Sequence, residues 1–199
     1  MSASSQADSW RVALRAALTL ALALTIGAPT VLADRQLDPE LKAVVAEAIK
    51  AGECFPDKYE AEVWYKLMEP RLRRYVKNHA ERVEILKHTY CESRQVQLPA
   101  ELVLAVMDVE SSFNRWAVSS AGAQGLMQVM PFWPEELGMK RHQLMQVQPN
   151  IRMGCAILKY YYDREKRDVR RALARYNGSV GRREYPDLVI TRWTSRWRS

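Results

Sequence analysis

Apolar residues recur at three- and four-residue spacing along most of this chain, the period of helices with one buried face. The first such segment is residues 39–51, with Asp38 at its start, Pro39 in its first turn and Gly52 at its stop. The second, residues 57–76, carries Ala61, Trp64, Tyr65, Leu67, Met68, Leu72 and Tyr75 on one stripe. The third, residues 80–95, repeats the pattern with Val83, Leu86 and Tyr90. Pro99 opens a fourth, an apolar run that ends at Glu110 to Phe113. Ser119 to Gly125, rich in Gly, Ser and Ala, reads as a loop. A short element follows at 135–138, and helices return at 150–164 and 168–176. No segment sustains the strict alternation of a half-buried strand, so the pattern predicts an all-α protein. Its weakest joint falls at Gln95 to Leu98.

The first residues follow a different rule. Arg11 and Arg15 precede an apolar run from Ala16 to Ile26, and Val31-Leu32-Ala33 offers small or apolar residues for cleavage before Asp34. That is the layout of a secretory leader at 1–33. A membrane anchor is the rival reading, but the run is shorter than the ~20 apolar residues a spanning helix needs. No other segment is apolar enough to span, so the expected location is periplasmic, or secreted, with no integral span after cleavage.

Export bears on the three cysteines, Cys54, Cys91 and Cys155, because an oxidising compartment permits one disulfide and one leftover thiol. Three pairings are possible. Cys54–Cys155 closes the longest loop and is the expected pairing. The spacing fits no zinc site, and no phosphate loop or dinucleotide fingerprint appears, so neither metal nor cofactor is expected. The 199 residues carry a formal net charge of +7 and stay basic without the leader. Such a surface suits nucleic acid, anionic lipid or a cell-wall polymer. Export and the lack of any nucleic-acid motif argue against the first.

Glu110 carries the chemistry. Val103, Val106 and Met107 project from its side of the helix, and Asp108 points roughly opposite. A carboxylate among apolar neighbours has its pKa raised and can donate a proton near neutral pH. Taken alone, a glutamate at a stripe's edge is more simply a structural residue. Later segments change the balance. Gly122 and Gly125 let backbone approach a ligand. Gln128 can hydrogen-bond amides or hydroxyls, and Met127 and Met130 offer adaptable apolar contacts. Tyr176-Asn177-Gly178 reads as a helix stop with Tyr176 at a rim.

Four segments, in this order, resemble the soluble-type (SLT) lytic transglycosylase domain, which cleaves bacterial peptidoglycan. They are Glu110-Ser111-Ser112-Phe113-Asn114, the stretch from Ser119 to Pro131, Asn150-Ile151-Arg152-Met153-Gly154, and Ala174-Arg175-Tyr176-Asn177-Gly178. The resemblance covers about residues 97–180. One departure is Arg175, where many members have alanine before the tyrosine. The resemblance implies a lysozyme-like catalytic domain at 97–199, preceded by an N-terminal helical region at 34–96. It implies that Glu110 is the single catalytic acid and base. Ser119 and Gln128 would contact sugar N-acetyl or hydroxyl groups, Met130 would line the cleft and Tyr176 would stabilise the reacting sugar. Asn177 would fix the backbone around that tyrosine. The implied substrate is the glycan strand of peptidoglycan, cut at the β-1,4 bond between N-acetylmuramic acid and N-acetylglucosamine to leave a 1,6-anhydro end. A hydrolytic muramidase and a non-catalytic peptidoglycan-binding protein are the alternatives. Any cell-wall or secretion-machine partner is unspecified. Phe113, Trp116, Phe132 and Trp133 flank the motifs as sugar-stacking or core residues, and Trp193 and Trp197 read as anchors of a C-terminal helix.

Overall fold

The computed structural model describes residues 58–198, together with Pro39, Glu40 and Ala43, which are helical. The expected leader, most of the first expected helix and Cys54 lie outside the described residues. The described elements are α1 (Lys58–Leu72), α2 (His79–Gln95), α3 (Ala100–Glu110) and α4 (Phe132–Glu136). A 3-10 turn (Arg141–Met145), α5 (Val147–Arg164), α6 (Val169–Tyr176), α7 (Glu184–Arg192) and a π-helical turn (Trp193–Trp197) follow. Among the described residues the only extended pairings are two isolated bridges, Val118 to Gln124 and Gln124 to Val129. The chain is all-α, as the periodicity predicts.

The centre is α3. Every side chain from Leu102 to Met107 is buried. A helix apolar on all sides is enclosed rather than laid on a surface; α2, α7 and the π turn pack around it. Even Asp108 is buried, and it is satisfied there. It accepts hydrogen bonds from the Tyr75 hydroxyl at 3.2 Å and the Trp197 indole at 3.0 Å, with Arg196 at 3.5 Å. Trp197 is therefore a core anchor, packed 5.2 Å from the Phe113 ring.

Residues of α1 and α2 feed the same core: Trp64, Met68, Leu72, Ile85 and Leu86 belong to one hydrophobic cluster with α3. Two ion pairs fix that region. Arg82 meets Glu69 at 2.8 Å, donates to the carbonyls of Val76 and Lys77, and sets its other terminal nitrogen 3.4 Å from the His79 ring. Glu92 of α2 receives a bidentate pair from Arg152 of α5, at 2.8 and 3.0 Å. Caps set the helix starts: Asn78 accepts from the Glu81 amide and Asp168 from the Arg171 amide.

The pattern misplaced some faces. Leu67 and Val83, expected on buried stripes, are 46% and 38% exposed. The second expected helix ends at Leu72 rather than Val76, so Tyr75 reaches Asp108 from a turn. The cysteines also differ from expectation. Cys155 is a buried free thiol, and Cys91 is disulfide-bonded. The expected Cys54–Cys155 bridge is thus overturned: Cys155 sits inside α5, enclosed by core.

Candidate active site

Glu110 is the last residue of α3. The chain reverses immediately after it, because Ser112 and Phe113 adopt left-handed backbone, with φ of 49° and 62°. That conformation is uncommon for non-glycine residues and must be held by its surroundings. Two contacts hold it. The Ser111 hydroxyl donates to the carbonyls of Met107 at 3.2 Å and Leu126 at 2.8 Å. The Phe113 ring is buried against Tyr75, 5.1 Å away, and Trp197. The reversal leaves the Glu110 carboxylate at the end of a rigid, buried helix.

Its surroundings set its acidity. Burial pushes the Glu110 pKa up from 4.5 to about 7, against an opposing hydrogen bond from Tyr185. The negative end of the α3 dipole acts in the same direction as burial. The Tyr185 hydroxyl donates to Glu110 Oε1 at 2.5 Å. Burial and the nearby Glu110 charge hold the Tyr185 phenol well above its ordinary pKa, so it remains a donor. No second carboxylate contributes to the Glu110 shift; Asp108, on the same helix, is engaged behind it.

A loop spanning residues 117–130 faces this helix end. Its shape is set from within: the Gln124 and Val129 amides donate to each other's carbonyls, and the Gly125 amide donates to Ala117. Asn150 clamps the loop to α5. It is 1% exposed, accepts from the Met127 amide at 2.8 Å, and donates to the carbonyls of Gln124 and Leu144, both at 2.9 Å. Gly125 makes this possible. A Cβ there would lie 2.3 Å from both the Asn150 amide nitrogen and the Leu144 carbonyl, and its φ is +76°. Gly154 does the same for Met127, whose sulfur would lie 2.5 Å from an added Cβ.

The other expected site residues fall around this loop. The Ser119 hydroxyl accepts from the Ala123 amide at 3.0 Å. Gln128 has left-handed backbone (φ 48°), and its amide nitrogen donates to Ala117 and Gly125, which leaves its carbonyl oxygen as the group not used in these bonds. Met130 is half-buried against the core. Tyr176 donates its hydroxyl to the Met127 carbonyl at 2.7 Å, which ties the end of α6 to the loop. Burial first, and then the Glu110 charge, raises its pKa well above the ordinary tyrosine value. Asn177 ends α6 and is exposed. Gly178 (φ 72°) follows, and the Ser179 amide returns to the Ala174 carbonyl, a Schellman stop. Of the flanking aromatics, Phe113 and Trp133 are core, while Trp116 is 65% exposed with the Arg115 guanidinium over its ring. Among the described residues no group of three or more His, Cys, Asp or Glu side chains is placed to hold a metal ion.

Residues 91–185 match the family model of the transglycosylase SLT domain. The matched SLT segment contains Glu110, the clamped loop, Asn150 and Tyr176, and it ends on Tyr185. A transglycosylase of Enterobacteria phage PRD1 is 37% identical over 105 residues, which is 49% of this chain and 38% of the phage protein. The membrane-bound lytic murein transglycosylase C of Actinobacillus succinogenes is 54% identical over 39 residues, 20% of this chain and 11% of that protein. The chain thus spans well under half the length of these relatives. Among solved structures, the lytic transglycosylase Slt of Pseudomonas aeruginosa aligns with a TM-score of 0.44 and 22% identity, over 77% of this chain and 33% of its own. The chain resembles the SLT family, and the resemblance lies where the four motifs are.

Tyr185 is the residue the sequence reading missed. The sequence reads a C-terminal helix from Trp193 and Trp197, but that reading does not reach back to Tyr185, in the first turn of α7. Signals for it exist: Glu184 and Asp187 in the first turn, Pro186 beside them, and Arg192 in the last turn. Tyr185, Val189 and Trp193 recur at four-residue spacing, a short stripe that does not by itself say which helix it faces.

Proposed function

We propose that this chain is a peptidoglycan lytic transglycosylase, with Glu110 as its acid and then its base. The observation that carries this reading is a half-buried carboxylate at the end of α3 with no carboxylate partner among the described residues, its pKa pushed up to about 7 by desolvation. Ordinary glycosidases divide the work between two carboxylates. One carboxylate suffices where the substrate brings its own nucleophiles.

Glu110 protonates the glycosidic oxygen, and the N-acetylglucosamine leaves with that proton. The N-acetyl oxygen of the muramic sugar attacks C1 and forms a cyclic intermediate. The Glu110 carboxylate then takes the proton of the C6 hydroxyl, O6 bonds to C1, and the N-acetyl group is restored. The product is a 1,6-anhydro end; no water is consumed, and Glu110 ends as it began. Between the two steps the Tyr185 hydrogen bond stabilises the carboxylate. Tyr176 presents its phenol oxygen as an acceptor, since its proton is committed to Met127. Ser119, Gln128 and Met130 line the sugar path, and Asn177 closes α6 beneath Tyr176.

The basic charge suits an anionic wall polymer, and the sequence of residues 1–33 supports action outside the inner membrane. None of the described helices is long and apolar enough to cross a membrane. Release of soluble fragments from purified sacculi tests the proposal. The wild-type chain should release them and Glu110→Gln should not. Equal release by the variant would remove Glu110 from the mechanism, and no release by either would leave only a wall-binding role.

A further inference from the structure

A second polar feature lies on the opposite side of α3. Asp108 and Glu110 are two residues apart, about 200° of rotation on a helix, so they face different ways. Behind Asp108, the end of α1, the turn after it and the C-terminal segment form an open surface pocket of about 470 Å³, lined by Arg71, Arg74, Tyr75, Arg196, Trp197 and Arg198 among others. That size suits a small ligand rather than a polymer strand.

The charges do not balance. Arg71 donates to the carbonyls of Arg196 and Arg198, both at 3.0 Å, which fixes the segment's backbone but neutralises nothing. Arg196 meets Asp108 at 3.5 Å and the Tyr75 hydroxyl at 2.5 Å. The side chains of Arg74 and Arg198 have no hydrogen bond or ion pair among the described residues. Of these four guanidiniums only Arg196 meets a carboxylate among the described residues, that of Asp108. Half-buried Tyr75 forms one side of the pocket, its ring backed by the enclosed Trp197, 6.1 Å away between centroids. Guanidinium forks match planar carboxylates and phosphates, and a pocket of like charges gains most from an anion of more than one charge.

We propose that this pocket binds a compact multivalent oxyanion, carried by phosphate or clustered carboxylate, with Arg74 and Arg198 as its free donors. The site is separate from the Glu110 groove and does not depend on the reaction assigned to it. Calorimetric titration of the full chain with pyrophosphate and with citrate tests it. At least one probe should bind with one site per chain and weaken with added salt. The stronger response identifies the source, pyrophosphate for phosphate and citrate for carboxylate. Arg74→Ala with Arg198→Ala removes two exposed side chains that hold no structure, and should weaken binding about tenfold or more. Glu110→Gln should leave binding unchanged. Failure of both probes to bind, undiminished binding in the double variant, or loss of binding in Glu110→Gln would each overturn the proposal.

Discussion

The Tyr185 hydroxyl stands 2.5 Å from Glu110 Oε1 and donates to it. This bond favours the charged carboxylate and opposes the burial that favours the protonated acid. Tyr185 therefore tunes the pH at which Glu110 changes state. A hydrogen bond to a charged group contributes about 1.5–3 kcal/mol, so Tyr185→Phe should raise the Glu110 pKa by about one unit or more. The alkaline fall in activity, which tracks loss of the Glu110 proton, should move up by the same amount. Turnover on the acid side should also drop, because the carboxylate formed after proton donation loses its donor. An unchanged pH profile in Tyr185→Phe would separate the tyrosine from the titration.

Glu110 also costs stability. Its folded pKa of about 7 lies above the ordinary 4.5, so the native state holds the proton more tightly than the unfolded chain between those values. Its contribution is least unfavourable below pH 4.5, worsens as pH rises to about 7, and is constant beyond. Glu110→Gln should therefore be more stable than wild type above neutrality, by roughly 3 kcal/mol, with the advantage vanishing at low pH. Urea unfolding of both proteins across this range checks the sign. A constant difference at all pH values would contradict the raised pKa.

Asn150 is expected to be among the most sensitive polar residues. Asn150→Ala strips the buried Met127 amide and the Leu144 carbonyl of their Asn150 hydrogen bonds, at a cost of about 2–4 kcal/mol. Met127 also receives the Tyr176 hydroxyl, so the variant should lose activity at temperatures where it is still folded. Gly125→Ala should behave alike, through collision with Asn150 and Leu144 rather than through a lost bond. A midpoint within error of wild type for both would refute the clamp.

Much of the candidate site stands out in the sequence because its residues break local rules. A glutamate in an apolar run, two glycines in a loop and Tyr-Asn-Gly at a helix end each demand an explanation, and Glu110, Gly125 and Gly178 supply it. Asn150 belongs to a motif, but its role as a three-bond clamp depends on a loop more than twenty residues upstream and cannot be read locally. Tyr185 stays hidden for the same reason: only the packing of α7 on α3 brings it to Glu110. Leu67 and Val83 fit a helical period as well as Met68 and Ile85 do, and period alone does not say where a buried stripe ends.

The cysteines give a separate check. Peptide mapping without reductant should find the Cys91 peptide in a disulfide, and Cys155 as a thiol that alkylates only after unfolding. Burial, first, holds the Cys155 thiol well above its ordinary pKa and keeps it unreactive. Rapid alkylation of Cys155 in the native protein would contradict its place in the core.

The central claim is that one carboxylate works with the substrate's own hydroxyl in place of water. Digestion of purified sacculi in water enriched in heavy oxygen, followed by mass spectrometry of the fragments, tests this most directly. The account predicts muramic ends lighter by one water than hydrolysis products and free of the heavy label. Reducing ends carrying the label would show that water attacks C1, and would make this chain a hydrolase.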